Sequence, residues 1–475
     1  MSIQQMLLGS GAAGEAYWLN SWGKDVTSGT LFWKHIDVDS AGNIYTWGHG
    51  RPIASGGDTT SYGMFAKWDS KGDNVYFRKI DAKLGDYPAQ GIVVSGTKAY
   101  LAGHMGYSTT YPGSPMMAIN LSDGTIDWQR YYTTDNSNEN QIHTKSVDAD
   151  SSGNLYWVTK RLSYGDDFIV YKTNSSGVLQ WATKIERPSS SSYIDQMWRL
   201  KLDSSGNIYV GGIRNDTGGN GDTSGFLIKL NSSGTLQWSK ELGSTGSYSI
   251  QQFYDIAIDS SANIYCVGTT RANTNSMHRG WVAKYNSSGT LQYQRTYGSG
   301  SNQDNSQSIN QYQRNCAFYD GYLYSVGTND LTGSNIHIIK LDPSDGSLEW
   351  QRYLKAWASG AASYFYGYQS TKMLAANDSL YICGMHDKGS SQYRGVLAKL
   401  PLTALDDDIG SGSTVWEVGT WTHPMTDTSF TDSSPSFSGS SLSSGSCDDS
   451  EGEDWEVTSS AESNFTEKEH HEIDA

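Results

Sequence analysis

The chain of 475 residues carries a net charge of −16, but 17 of its 50 acids and only one of its 34 bases fall in residues 401–475, leaving 33 acids and 33 bases before them. A neutral body with an acidic tail argues against a nucleic-acid-binding surface, and no run of about 18 apolar residues exists to span a membrane. Aromatics at 12%, with 52 Gly and only 9 Pro, suit many short strands joined by glycine turns.

In chain order, residues 1–13 (MSIQQMLLGSGAA) hold a short apolar patch with no basic region before it. That pattern predicts a docking arm and no cleaved secretion signal. Residues 14–22 read as a strand, with Gly14 four positions before Trp18. The repeating unit follows, and its clearest copy is residues 202–238. There LDSSGNIYVGG leads through a polar loop to GFLIKLNSSGTLQW. Period-two alternation broken by Ser-Gly-Asn turns predicts a four-stranded antiparallel meander.

Two rulers count the copies. The second-strand aromatics Tyr45, Tyr100, Tyr156, Tyr209, Tyr265, Tyr324 and Tyr381 recur at intervals of 55, 56, 53, 56, 59 and 57 residues, which marks seven units. A glycine four positions before an aromatic marks the fourth strand in six of them, at Tyr76, Trp128, Trp181, Trp238, Tyr293 and Trp350. The seventh unit ends near Leu400 without that strand, and Trp18 supplies the missing copy at the other end of the chain. The prediction is an all-β protein, a seven-bladed β-propeller of four-stranded antiparallel blades over 14–403. Segment 14–22 completes the last blade, and extended arms flank the body at 1–13 and 404–475.

The turns between first and second strands and between third and fourth strands are tight. The connections on the opposite face are long and rich in Tyr, Ser, Gly and Asn, the composition of adaptable binding loops. Candidate ligand-binding aromatics there are Tyr107, Tyr111, Trp198, Trp357, Tyr364, Tyr366 and Tyr368. Arg51, Arg161, Arg214 and Arg271 follow the second strand in four units and are candidates to read anionic groups around the mouth. The recurring third-strand Lys (Lys67, Lys172, Lys229, Lys284, Lys340, Lys399) reads as structural, its stem lying along a neighbouring aromatic. Trp238 and its counterparts are expected to be buried.

No catalytic residue, metal or cofactor is assigned. His49, His104 and His386 come from three units, but no carboxylate recurs beside them. DVDSAGN (37–43) and DADSSGN (148–154) open like calcium loops but lack the later bidentate Glu, so hairpin turns are expected. No serine-elbow, zinc-helix or phosphate-loop motif occurs. Cys266, Cys316, Cys383 and Cys447 have neither metal nor disulfide spacing. Residues 404–475 turn Ser-rich and acidic, a composition that predicts disorder unless a partner orders it.

The repeat with the core Asp-Ser-Ser-Gly-Asn-Ile-Tyr, as at 203–209, resembles bacterial and viral propeller repeats. The opening Gln-Gln-Met-Leu-Leu-Gly and the Ser-rich tail resemble virion structural proteins of tailed phages of marine bacteria. That resemblance implies a non-enzymatic virion protein made in the host cytoplasm, without membrane insertion or nucleic-acid binding. Its N- and C-terminal arms would hold it to other virion proteins while its loop face meets a host-surface glycan. A tail fibre or appendage is favoured over head decoration. A polysaccharide-degrading propeller enzyme is the rival reading, and a secreted bacterial lectin a third.

Overall fold

The strands start from turns whose side chains satisfy the local backbone. Asp203 Oδ1 accepts from the N–H groups of Ser205 and Asn207 at 2.9 Å each, and Oδ2 accepts from Asn207 Nδ2 at 2.8 Å and Tyr209 Oη at 3.1 Å. Asp39, Asp150 and Asp259 repeat the arrangement. Gly206 takes the left-handed position of the turn, at φ +77°. Both carboxylate oxygens are committed to the turn, so these are hairpins and not calcium loops.

The same motif explains the second-strand ruler. Tyr209 is held at its hydroxyl by Asp203, and Lys229 Nζ sits 5.3 Å from its ring centre while donating to the Ser287 carbonyl at 3.0 Å. Lys67 lies over Tyr45, Lys172 over Tyr156 and Lys284 over Tyr265 in the same way. The third-strand lysine is therefore a packing residue, as its recurrence in the repeat suggests.

The structure, a computed structural model, describes residues 18–24, 30–51, 62–82, 89–103, 114–134, 142–161, 168–186, 196–215, 223–243, 250–271, 278–297, 311–329, 335–356, 364–365, 372–387 and 393–402, together with tail segments 416–420, 425–427, 431–433, 438–441, 447–451, 455–458 and 465–472. Strand β1 is Trp18–Lys24. Set one comprises β2 (Thr30–Val38), β3 (Ile44–Arg51), β4 (Tyr62–Trp68) and β5 (Asn74–Ala82). Set two is β6 (Gly91–Ser95), β7 (Lys98–Ala102), β8 (Ser114–Asn120) and β9 (Ile126–Thr134). Set three runs β10 (Ile142–Ala149), β11 (Leu155–Arg161), β12 (Phe168–Thr173), β13 (Leu179–Glu186). Set four runs β14 (Gln196–Leu202), β15 (Ile208–Asn215), β16 (Thr223–Leu230), β17 (Leu236–Gly243).

The next two sets are β18 (Ile250–Ile258), β19 (Ile264–Arg271), β20 (Arg279–Tyr285), β21 (Leu291–Tyr297), and β22 (Gln311–Tyr319), β23 (Tyr322–Asn329), β24 (Asn335–Leu341), β25 (Leu348–Ala356). After β26 (Tyr364–Phe365) the last set is β27 (Lys372–Ala376), β28 (Ser379–Asp387) and β29 (Tyr393–Pro401). Within each set consecutive strands pair antiparallel. Beside β29 lies β1, antiparallel, with Trp18 opposite Lys399 and Trp22 opposite Gly395. This is an all-β protein of four-stranded antiparallel sheets, consistent with a β-propeller.

The core lies between successive sets, not at one centre. Tyr156, Val158 and Phe168 of set three pack on Leu200, Val210 and Phe226 of set four. Leu31, Trp33 and Trp68 of set one pack on Tyr381, Cys383 and Leu397 of the last. The fourth strand adds a fastener: Trp128 Nε1 donates to the Ser175 carbonyl at 3.0 Å, and a Cβ on Gly177 would stand 3.0 Å from that indole. The first strands touch in the order β2, β6, β10, β14, β18, β22, β27, and β27 touches β2. Cys266, Cys316 and Cys383 are buried free thiols whose pKa burial pushes up, as packing residues should be.

The tail departs from its composition. Its strands are β30 (Trp416–Thr420), β31 (Met425–Asp427), β32 (Thr431–Ser433), β33 (Ser438–Ser441), β34 (Cys447–Glu451), β35 (Trp455–Thr458) and β36 (Phe465–Glu472). They pair antiparallel, in that order, with β25, β21, β17, β13, β9, β5 and β1. Each adds a strand to the outer edge of a set, and the tail visits the sets in reverse chain order. An extended arm reaching away from the body is not what these segments form. Residues 1–17 lie outside the described residues.

Candidate functional site

Five first strands share a defect at one height. Against the second strand, the register slips at Trp33/His35 in β2, Thr144/Ser146 in β10, Met197/Arg199 in β14, Phe253/Asp255 in β18 and Gln313/Asn315 in β22. The extra residues are Lys34, Lys145, Trp198, Tyr254 and Arg314. A bulge bends its strand and re-aims the side chain, a common device beside binding sites. Gln90 occupies the corresponding position of set two, while Lys372, the first residue of β27 and opposite Cys383, stands one position further along, level with His35 and Arg199.

Around these positions cations outnumber acids. Arg199 Nε stands 2.9 Å from the buried Asp255 carboxylate. The other Asp255 oxygen accepts from the Cys316 N–H at 2.9 Å and from Asn315 Nδ2, and Asn315 Oδ1 accepts from the Met373 N–H at 2.5 Å. One buried acid thus ties sets four, five and six, and Asn315 carries the chain of bonds on to the last set. Lys145 Nζ lies 5.3 Å from the Trp198 ring, and that indole meets Tyr254 at 5.8 Å in a tilted pair. Tyr254 Oη donates to Gln252.

The electrostatics mark this place as positive. Burial, then the nearby Lys145, bring the Lys34 ammonium down to about 8. Burial brings Lys372 to about 8 as well, with Arg199 adding repulsion and Asp255 opposing it. Burial, followed by Lys372, Lys34 and Arg199, holds His35 neutral well below its usual range. These couplings join non-adjacent sets, so the side chains face a common space. Three residues further along the first strands the balance reverses. Asp37 accepts from the Val94 N–H at 2.6 Å, Asp148 accepts from the Leu202 N–H at 3.1 Å, and Lys201 stands 3.7 Å from Asp148.

Of the residues singled out from sequence, Trp198 belongs to this cluster, half-buried in β14. Arg214 is also half-buried, but it is bound to Glu241 in its own sheet, which makes it a strand-to-strand tie. Arg271 ends β19 opposite Ile250, half-buried. Arg51 and Arg161 end β3 and β11 opposite Thr30 and Ile142, and Tyr364 sits in β26 opposite Asp387; their side chains lie outside the described residues. Tyr107, Tyr111, Trp357, Tyr366 and Tyr368 lie outside them altogether. His49 is buried and stacked on Phe32 at 4.6 Å. His104 is not described, and the His386 backbone pairs with Phe365.

Sequence reasoning missed the cations, although a signal was present. Lys34, Gln90, Lys145, Trp198, Tyr254 and Arg314 form a column at intervals of 56, 55, 53, 56 and 60 residues, and Arg199 and Lys372 stand in the next one. A repeat position that holds three bases in six copies stands out once the first strands are aligned.

The Beta-propeller repeat family (SBBP) matches residues 237–273. No curated protein matches the chain. Among solved structures, the chain is similar to the polysaccharide lyase Uly1, at 10% identity and a TM-score of 0.51, covering 81% of this chain and 100% of that one. It is also similar to the beta-propeller domain of the Trilobed protease from Pyrococcus furiosus, at 11% identity and a TM-score of 0.43, covering 80% and 99%. Identities this low speak for the fold alone.

Proposed function

We propose that this β-propeller repeat protein is a seven-bladed disc, closed through β1 and bound round its rim by its own tail, that serves as a non-enzymatic display module on a phage particle. Closure is supported by the pairing of β1 with β29, by the contact of β27 with β2 and by the core shared between the first and last sets. The observation that carries the functional reading is the covered rim: the outer strands β5, β9, β13, β17, β21, β25 and β1 each receive a tail strand. An open outer strand is a template for pairing with other chains. Covering it suits a body displayed at high local concentration and leaves the two faces for recognition. The long-loop face then engages a surface glycan or a neighbouring virion protein.

In this reading the tail serves the disc itself, and attachment falls to residues 1–13. The phage setting rests on the resemblance of the chain's opening and Ser-rich tail. The test is purified full-length protein on an array of bacterial surface glycans, followed by long incubation with whatever it binds. Binding with polymer length unchanged is expected. Shortening of the polymer with new chain ends would replace display by depolymerisation. Absence of the chain from purified particles by mass spectrometry would remove the phage setting.

A further inference from the structure

Resting on the display reading, we infer that the bulge cluster of the first strands is a binding site for a carboxylate-bearing sugar, with Lys34, Lys145, Arg199 and Lys372 facing the carboxylate and the Trp198–Tyr254 pair facing the ring. Three features meet there. The bulges set Lys34, Lys145, Trp198 and Tyr254 at one height of β2, β10, β14 and β18, and Arg199 and Lys372 stand one register position further along, so the cluster is drawn from five sets at nearly one level. Four bases face that space against one carboxylate, Asp255, which already accepts from Asn315 and the Cys316 N–H and pairs with Arg199. Two aromatic side chains, tilted at 59° to each other, lie beside the cations with Lys145 over the indole.

Burial first, and then repulsion from Lys145 at Lys34 and from Arg199 at Lys372 against the opposing pull of Asp255, brings both lysines to about 8, where a bound anion would favour their charged forms. A bare inorganic anion would answer the charge but leave the aromatic pair unused. An aromatic face stacks on the C–H face of a sugar, and a carboxylated sugar presents both chemistries on one ring. The other groups around the site are His35, Lys201, Tyr254, Asn315, Cys316 and Cys383. His35 stays neutral, and the Cys316 and Cys383 thiols are pushed up by burial. Asp37, three residues along β2, is raised by burial to about 6 and is ionised by pH 7, so between pH 7 and pH 9 the two lysines are the groups that change charge.

The experiment is calorimetric titration of the full chain with trigalacturonic acid and with sialyllactose, against the trigalacturonic methyl ester, lactose and citrate. At least one acidic sugar should bind at pH 7 at least tenfold more tightly than its neutral counterpart. Its affinity should fall severalfold between pH 7 and pH 9 as Lys34 and Lys372 lose their protons. Lys145→Gln and Lys372→Gln should each weaken it about tenfold, while Trp198→Ala should weaken the sugar and spare citrate. Equal binding of acid and neutral sugar, equal loss of citrate with Trp198→Ala, or no binding of either acidic sugar would overturn the inference. Should a variant fail to fold, the pH arm on the unmodified chain still decides. Neutral glycans retained on the array without acidic ones would sink this site and leave the display reading standing. Cleavage of the acidic probe would do the reverse.

Discussion

Trp238 and Trp281 look alike in the sequence, each an aromatic in a strand of the repeat, but they do different work. Trp281 in β20 is fully buried and stacks on Phe253 at 4.4 Å between centroids. Trp238 in β17 is half-buried, lays its ring beside Gly289 of the following set and donates to the Ser287 carbonyl at 3.3 Å. The expectation of burial therefore fails for Trp238, although its counterparts Tyr76 and Tyr293 are buried. Trp281→Ala should cost about 3–5 kcal/mol, and Trp238→Ala about 1–2 kcal/mol, the loss of one hydrogen bond and partial burial. Urea melts of the two variants compare them directly, and equal midpoints would refute the distinction. The turn carboxylates and third-strand lysines were legible because a repeat displays them several times over. The bulge cations were not, because that column changes chemistry from copy to copy and only its height is constant.

At the scale of elements, the meanders could be read from alternation and turn residues because the physics that selects them is local. Four or five residues fix each hairpin, and Asp203 with Asn207 and Tyr209 shows how completely. The tail strands could not be read this way. Addition to a sheet edge is made by main-chain hydrogen bonds, which any residue but proline supplies, so a Ser-rich segment such as β33 pairs with β13 without an apolar pattern. Composition reports whether a segment can build a core, not whether an edge is available to it. A chain ending at residue 403 should keep its far-UV circular dichroism but melt several degrees lower and self-associate through its exposed outer strands. Hydrogen exchange should locate the change, with amides of 131–134, 183–186 and 241–243 protected in the full chain and rapidly exchanging in the shortened one. Unaltered protection there would mean that the tail strands contribute nothing to the edges.

For the whole molecule, everything depends on whether the first strand holds the last sheet. β1 lies between β29 and β36, so it joins the body's two ends and anchors the last tail segment. If it detaches, the gap between the first and last sets loses its latch and two sheet edges open together, so closure of the proposed disc should be cooperative. Leu19 and Ala398 are register partners across that seam. Leu19→Cys combined with Ala398→Cys should form a disulfide under mild oxidation, visible by peptide mapping. Of the four native thiols, Cys266, Cys316 and Cys383 are buried and should stay out of it, and Cys447 is replaced by Ser in the variant. Because the bond would close almost the whole body into one loop, chain-entropy arguments allow up to about 5 kcal/mol of stabilisation against urea, reduced by any strain at the site. The bond should also protect the tail: with β1 fixed, β36 keeps its partner at denaturant concentrations that release it from the uncrosslinked chain. A double variant that resists oxidation while both thiols react freely with a maleimide would show that β1 does not rest on β29 in solution. The proposed disc would then be open.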